Sequence, residues 1–186
     1  MKIGIYPGSF DPITLGHLDI IKRAINIVDV LIVGVLYNKN KNKMFSVDER
    51  VELIKQTIVD EIEDSGVRER ILVETSEGLL ADFAKKKRAN IIIRGVRNTI
   101  DYEYEANMAR VNKQLNDNLE TVCLITDKKY MDVSSSTVRE IVSFGGDVSE
   151  FAPKCVIEYL EHIKWLEIII WQQVGLNKLL MIFMIL

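Results

Sequence analysis

KIGIYPGSFDPITLGH, residues 2–17, is the stretch that decides the fold. The run from Lys2 to Tyr6 predicts a β-strand stopped by Pro7-Gly8. From Leu15 onward apolar residues recur at 15, 18, 21, 25 and 28, the spacing of one helix face. Gly8 lets the backbone turn tightly and approach a ligand, and Pro7 and Pro12 stiffen the turn. Thr14 is placed to cap the helix, with Gly16 and His17 in its first turn. A helix N-terminus offers unpaired N–H groups and positive partial charge, which suit phosphate, and His17 adds a side-chain donor for the same anion. The plainer alternative is that Gly and Pro merely shape a turn while His17 caps or packs.

The strand–turn–helix rhythm continues outward. DVLIVGVL (29–36) is a continuous apolar run, the mark of a strand covered on both faces. A polar, basic loop follows from Tyr37 to Lys43. Ser46 and Glu49 form a capping box that opens a helix running to about Glu63. Further strands are predicted at 70–74, 89–94 and 120–126, and helices at 78–87, 101–115, 135–144 and 153–163. Alternating strands and helices, with doubly apolar strands, give an α/β fold: a Rossmann-like, doubly wound, five-stranded parallel sheet with helices on both faces. Ligands of such sheets bind beyond the carboxyl ends of the strands, where strand order reverses.

Composition bounds the function. The chain has 186 residues, 48% hydrophobic and 27% charged, which is ordinary globular usage for about one domain. With 24 basic and 27 acidic residues the net charge is −3, which argues against a bulk electrostatic grip on nucleic acid. Cys123 and Cys155 read as strand and helix core, and no CxxC or Cys/His cluster points to structural zinc or a disulfide framework. The N-terminal apolar run is too short for a signal peptide, so the expected compartment is the cytoplasm.

Thr14-Leu-Gly-His17 resembles the (H/T)xGH signature of the nucleotidyltransferase superfamily. Three further segments narrow the resemblance to the bacterial phosphopantetheine adenylyltransferases: Ile93-Arg-Gly-Val-Arg97, Asp101-Tyr-Glu-Tyr-Glu105 and Val133-Ser-Ser-Ser-Thr-Val138. Order and spacing also fit, over about residues 1–162. The resemblance implies adenylyl transfer from ATP to 4′-phosphopantetheine, giving dephospho-coenzyme A and pyrophosphate in coenzyme A biosynthesis. The attacking phosphate is already an anion, so in-line attack needs no protein nucleophile and no covalent intermediate; positioning and charge stabilisation are what remain.

The resemblance also assigns residues. His17 would stabilise the α-phosphate in the transition state, with Lys41 and Arg94 holding the acceptor phosphate. Ser9 stands where the family usually has Thr, and with Phe10 it would serve ATP; Ser9 would also touch the acceptor. Gly95, Val96, Arg97 and Glu105 would line the nucleotide site, followed by Tyr130, Met131, Asp132, Val133, Ser134, Ser135 and Ser136. Leu80 would line the pantetheine arm. Each has a plainer reading: Lys41 as one of three alternating lysines in a solvated loop, Leu80 as helix core, Arg94 and Arg97 as structural ion-pair partners. Asp101, Glu103 and Glu105 would then be acids favoured near a helix N-terminus, and one of the three serines an N-cap. His162 reads as a surface or capping residue. Magnesium (Mg2+) is implied by the triphosphate, held mainly by ATP oxygens and water rather than by a protein cage. A homohexamer is the implied assembly.

WLEIIIWQQVGLNKLLMIFMIL, residues 165–186, breaks the rhythm and is set apart from the 1–164 nucleotidyltransferase domain. Glu167, Gln172, Gln173, Asn177 and Lys178 interrupt it, and the uninterrupted end is far short of the roughly 20 apolar residues that span a bilayer. It is read as an accessory helix packed on the body or on a neighbouring subunit, as an altered C-terminus, or as a membrane-surface contact. Two rival functions remain beside the main one: transfer to another acceptor, such as a nicotinamide nucleotide or a phosphorylated alcohol, and a non-catalytic nucleotide-binding or membrane-associated adaptor.

Overall fold

A computed structural model of the chain describes residues 1–37 and 43–163. Lys41 and the apolar segment 165–186 lie outside the described residues. Five strands, β1 (Ile3–Gly8), β2 (Val30–Tyr37), β3 (Ile71–Glu77), β4 (Ile91–Val96) and β5 (Glu120–Ile125), form one sheet in the order β3-β2-β1-β4-β5. Every neighbouring pair is parallel. Strand order therefore reverses between β1 and β4.

Two apolar layers cover the sheet. On one face α1 (Leu15–Ala24) and α2 (Val47–Glu61) bury Ile20, Ile21, Ala24, Leu53, Ile54 and Ile58 against Tyr6, Leu31, Val33, Val35 and Ile93. Val138 of α6 (Ser135–Ser143) and Val156, within the helical residues 154–163, join the same layer. On the other face α4 (Leu80–Lys87) buries Ala81, Phe83 and Ala84 against Ile5, Ile32 and Ile92. The long helix α5 (Thr99–Leu115) contacts β4, β5 and α4. Successive side chains of a strand point to opposite faces, so the central runs had to be apolar at consecutive positions. The short helix α3 (Ser65–Arg68) has no counterpart in the sequence reading; Asp64 caps it by accepting from the N–H groups of Gly66 and Val67.

One boundary differs in an informative way. β1 continues through Pro7 and Gly8, paired with Gly34 and Val35 of β2. A proline is tolerated there because the β1–β4 ladder pairs only Gly4 with Ile91 and Ile5 with Ile92. Beyond Ile5 the two central strands part, and the crevice at the switch point opens between them. Cys123 and Cys155 are both free and half-buried, Cys155 packing against the core of the first layer, and His162 is exposed. Among the described residues no helix is long and apolar enough to cross a membrane.

Candidate active site

The crevice between the carboxyl ends of β1 and β4 holds a cavity of about 300 Å³. Its wall includes Gly8 and Ser9 from the turn after β1, and Thr14, Gly16, His17 and Ile20 from the start of α1. Arg94, Gly95 and Arg97 enter from the end of β4, and Asp101 and Glu105 from the first turns of α5. Thr126, Tyr130, Val133, Ser134 and Ser135 close it from the segment after β5. The N-termini of α1 and α6 thus converge on one space. Their unpaired N–H groups and aligned dipoles make it favourable for an anion.

His17 is fixed by the helix cap itself. Thr14 is the N-cap of α1 and His17 its N3 residue, and each closes half of a capping box. The Thr14 backbone N–H donates to His17 Nδ1 at 3.0 Å, and the His17 N–H donates to Thr14 Oγ1 at 3.4 Å. A backbone N–H only donates, so Nδ1 is an acceptor and the neutral ring carries its proton on Nε2. Burial, followed by the charges of Arg94 and Arg97, lowers the His17 pKa from 6.5 to about 4. At neutral pH the ring is an uncharged donor through Nε2. Phe10 packs edge-on against it with ring centroids 5.0 Å apart, and Tyr6 packs against Phe10 at 5.4 Å. Phe10 holds φ at +47°, in the left-handed region that costs a side-chain-bearing residue about 1–2 kcal/mol. Its ring is 1% exposed, so core packing offsets that strain.

The two arginines are each held by a carboxylate. Arg97 donates through Nε to Asp101 Oδ2 at 3.0 Å. Arg94 donates through Nη1 to the Pro7 carbonyl at 2.5 Å and through Nη2 to Glu105 Oε1. Burial alone would lower the Arg94 pKa, but the hydrogen bond and charge of Glu105 raise it, so the guanidinium stays charged. Its Nε is buried without a partner.

A second cavity of about 290 Å³ lies on the other side of this pair and shares Pro7, Arg94 and Glu105 with the first. It is lined by Leu36, Leu79, Leu80 and Ile92, and along α5 by Tyr104, Met108, Val111, Asn112 and Leu115. Arg94 therefore stands at the partition between a polar chamber and a largely apolar one.

The structure gathers most of the residues singled out in the sequence. Ser9, His17, Arg94, Gly95, Arg97, Glu105, Tyr130, Val133, Ser134 and Ser135 line the first cavity, and Leu80 lines the second. Phe10 and Val96 are buried behind it, and Met131, Asp132 and Ser136 are exposed outside its lining. The three serines all have protein partners. Ser134 caps α6, Ser135 donates to the Pro12 carbonyl at 2.8 Å, and Ser136 accepts from Arg139 at 3.1 Å. Ile20, Thr126 and Asn112 were not picked out in the sequence. Thr126 directly follows β5, so the rule that sites lie beyond strand carboxyl ends marks it. Asn112 is a buried polar residue in α5, between Val111 and Leu115, positions that also line the second cavity. Among the described residues, no group of three or more His, Cys, Asp or Glu side chains is placed to hold a metal ion.

The cytidylyltransferase-like family model matches residues 5–141, the span from β1 into α6. A phosphopantetheine adenylyltransferase of Alkaliphilus metalliredigens is 51% identical over 158 residues, covering 85% of this chain and 96% of that protein. The chain belongs to the phosphopantetheine adenylyltransferase family of cytidylyltransferase-like proteins. A second family member, from Caldanaerobacter subterraneus, is 49% identical over 160 residues, 86% of this chain and 96% of its own length. The fold recurs more widely. A bifunctional NMN adenylyltransferase/ADP ribose pyrophosphatase from Francisella tularensis superposes with a TM-score of 0.66 at 14% identity over 87% of this chain. This chain spans about half the length of that bifunctional protein, 49%. The phosphopantetheine adenylyltransferase family therefore shares its architecture with proteins of low sequence identity.

Proposed function

We propose that this chain transfers the adenylyl group of ATP to 4′-phosphopantetheine, releasing pyrophosphate and forming dephospho-coenzyme A. The observation that carries this reading is the pair of cavities joined at Arg94. The polar chamber, with two helix N-termini, suits a nucleoside triphosphate. The apolar chamber suits a slender acceptor arm, and Arg94 stands where the acceptor's phosphate would meet the α-phosphate. An oxygen of that phosphate attacks the α-phosphorus in line, the bond to the β-phosphate oxygen breaks, and pyrophosphate leaves. His17 donates from Nε2 to a non-bridging α-phosphate oxygen as charge builds there, and Arg97, oriented by Asp101, faces the departing phosphates. Such preorganised donors reorganise little during reaction.

Magnesium enters with the nucleotide as part of the substrate. The cavity's two carboxylates, Asp101 and Glu105, are committed to Arg97 and Arg94, so the ion is held by phosphate oxygens and water. Lys41 belongs to the proposed acceptor-phosphate set by its place in the family motif. The proposed assembly is a homohexamer, in the cytoplasm and without nucleic acid. Ile100, Tyr104, Met108, Val111 and Leu115 form an exposed apolar stripe along α5, the kind of surface that another copy covers.

The deciding experiment is pyrophosphate release from MgATP with and without 4′-phosphopantetheine, beside nicotinate mononucleotide and phosphorylated alcohols. Release with phosphopantetheine alone, with dephospho-coenzyme A as product, supports the reading. Release only with another acceptor keeps adenylyl transfer and overturns the substrate. Folded protein that releases none with any acceptor supports the binding-module alternative.

A close contact in the turn gives a further test. A Cβ at Gly8 would lie 2.9 Å from Phe10 Cζ and 3.0 Å from Cε2, and the Phe10 ring supports His17. Gly8→Ala therefore shifts the ring and, with it, the imidazole. Turnover is expected to fall about 10–100-fold, since a displacement near 1 Å costs on that order. Steady-state kinetics on the folded variant check it, and unchanged turnover would show that the Phe10 support is dispensable.

A further inference from the structure

Tyr6 has no part in the reaction as set out above, and its hydroxyl is unaccounted for. Successive residues of β1 face opposite sides, so Ile5 joins the α4 layer and Tyr6 the α1 layer. Tyr6 is 6% exposed, and its ring centroid lies 5.4 Å from that of Phe10 and 6.3 Å from that of His17. It also lines the polar chamber. Among the described residues its hydroxyl has no hydrogen-bond partner. The charged groups around it are engaged elsewhere: Arg94 with Glu105 and the Pro7 carbonyl, Arg97 with Asp101, and Asp19 with Arg23. The side-chain atom sealed off without a partner is Arg94 Nε. The Tyr6 oxygen is not sealed, so it opens onto the chamber that the residue lines. Burial pushes the hydroxyl's pKa up in spite of the positive charges of Arg94 and Arg97, so it keeps its proton and can donate.

We infer that the Tyr6 hydroxyl is a further nucleotide-binding group, donating to an oxygen of the phosphate chain from the floor of the chamber beside His17. The inference rests on the adenylyl-transfer reading above. Buried hydroxyls in folded proteins have partners, and one left open among donors is completed by an acceptor that arrives with the ligand. The neighbours decide which part of the ligand supplies it. Two guanidiniums and the neutral His17 donor surround the hydroxyl, and a set made of donors and positive charge suits an anion rather than a sugar or a base. The ring is held on two sides by other rings, so only the O–H rotor is left to set. Little side-chain freedom is then lost when the bond forms.

The test is calorimetric binding of MgATP, of magnesium 2′,3′-dideoxy-ATP and of 4′-phosphopantetheine, each alone, to the full chain and to Tyr6→Phe. The substitution removes one oxygen and keeps the ring. The MgATP Kd is expected to rise about tenfold, the worth of one hydrogen bond to a charged group. Dideoxy-ATP should show the same rise, because it keeps the phosphates and lacks the ribose hydroxyls. The phosphopantetheine Kd should stay within about twofold of wild type. The melting temperature should not fall, since the protein itself loses no hydrogen bond. An unchanged MgATP Kd would overturn the inference. So would a rise that disappears with dideoxy-ATP, which would assign the hydroxyl to the ribose, or an equal rise for phosphopantetheine. A melting temperature lower by more than about 3 °C with MgATP binding intact would make the role structural. A wild-type chain that binds MgATP but transfers to another acceptor loses the acceptor named above, while the ATP constants still decide the role of Tyr6. A wild-type chain that binds no MgATP overturns both.

Discussion

Replacing His17 with Asn is expected to lower kcat about 10²–10³-fold, the cost of removing one donor from a site that stabilises developing charge. The fold should survive. His17 belongs to a capping box, and losing its half of that box costs about 1 kcal/mol, or roughly 2–4 °C of melting temperature for a chain of this size. Kinetics and a thermal melt on the same sample separate the two effects. Turnover within about threefold of wild type would remove His17 from the mechanism, since no single oxyanion donor of that kind is worth so little. The pH dependence has a definite sign. With a folded pKa of about 4 against an ordinary 6.5, His17 stays neutral through pH 5–8 and contributes no titration to the rate there. Between about 4 and 6.5 the unfolded chain binds this proton and the folded chain does not. That contribution to stability is complete above about 6.5 and is lost as pH falls towards 4. The Asn variant should show a correspondingly flatter acid limb in melting temperature.

The features that sequence revealed are those with a local period. β1, β2 and β4 are central strands with covered faces, so their apolar runs are unbroken. The Ser46/Glu49 capping box is complete within four residues, and Thr14 was read as a cap, but that His17 closes the other half of its box emerged only in the structure. β3 was read only to Glu74, yet it continues to Glu77 because it is an edge strand whose last residues pair with β2 while remaining polar. The passage of β1 through Pro7 was also invisible. It depends on β4 diverging after Ile92, a fact about a strand more than eighty residues away. Within the site, the sequence order of the motifs was enough to gather His17, Arg94 and Arg97 at the switch point. It gave no sign that Arg94 divides two cavities, or that Glu105 is tied to the arginine. Both follow from how α5 lies against β4, and neither a charge pattern nor a spacing encodes that approach.

Asp11 shows the same limit and carries the largest expected effect on stability. It is 1% exposed, and its carboxylate accepts from the backbone N–H groups of Phe45 at 2.9 Å and Met44 at 3.1 Å. Behind it Arg50, 2% exposed, donates to the Ser9 carbonyl at 2.7 Å and to the Ser46 carbonyl at 3.2 Å. From the other side Arg139 donates to the Asp11 carbonyl at 2.6 Å. The turn after β1 is thus clamped between the start of α2 and α6, by partners 33 to 128 residues distant. Asp11→Ala would leave the buried Phe45 N–H without an acceptor, at about 1–3 kcal/mol, and the half-buried Met44 N–H as well, at less. It would also strip the neighbouring negative charge from the buried Arg50. The expected loss is about 3–5 kcal/mol, in the range for breaking a buried charged network, which corresponds to a melting temperature lower by about 10 °C or more. Asp11→Asn should fall between, because its oxygen still serves one N–H while its amide opposes the other. Circular-dichroism melts of the three proteins test this ordering. If Asp11→Ala melted within about 2 °C of wild type, the clamp would be ornamental. The nucleotide turn would then owe its shape to Phe10 packing and the Thr14 cap alone.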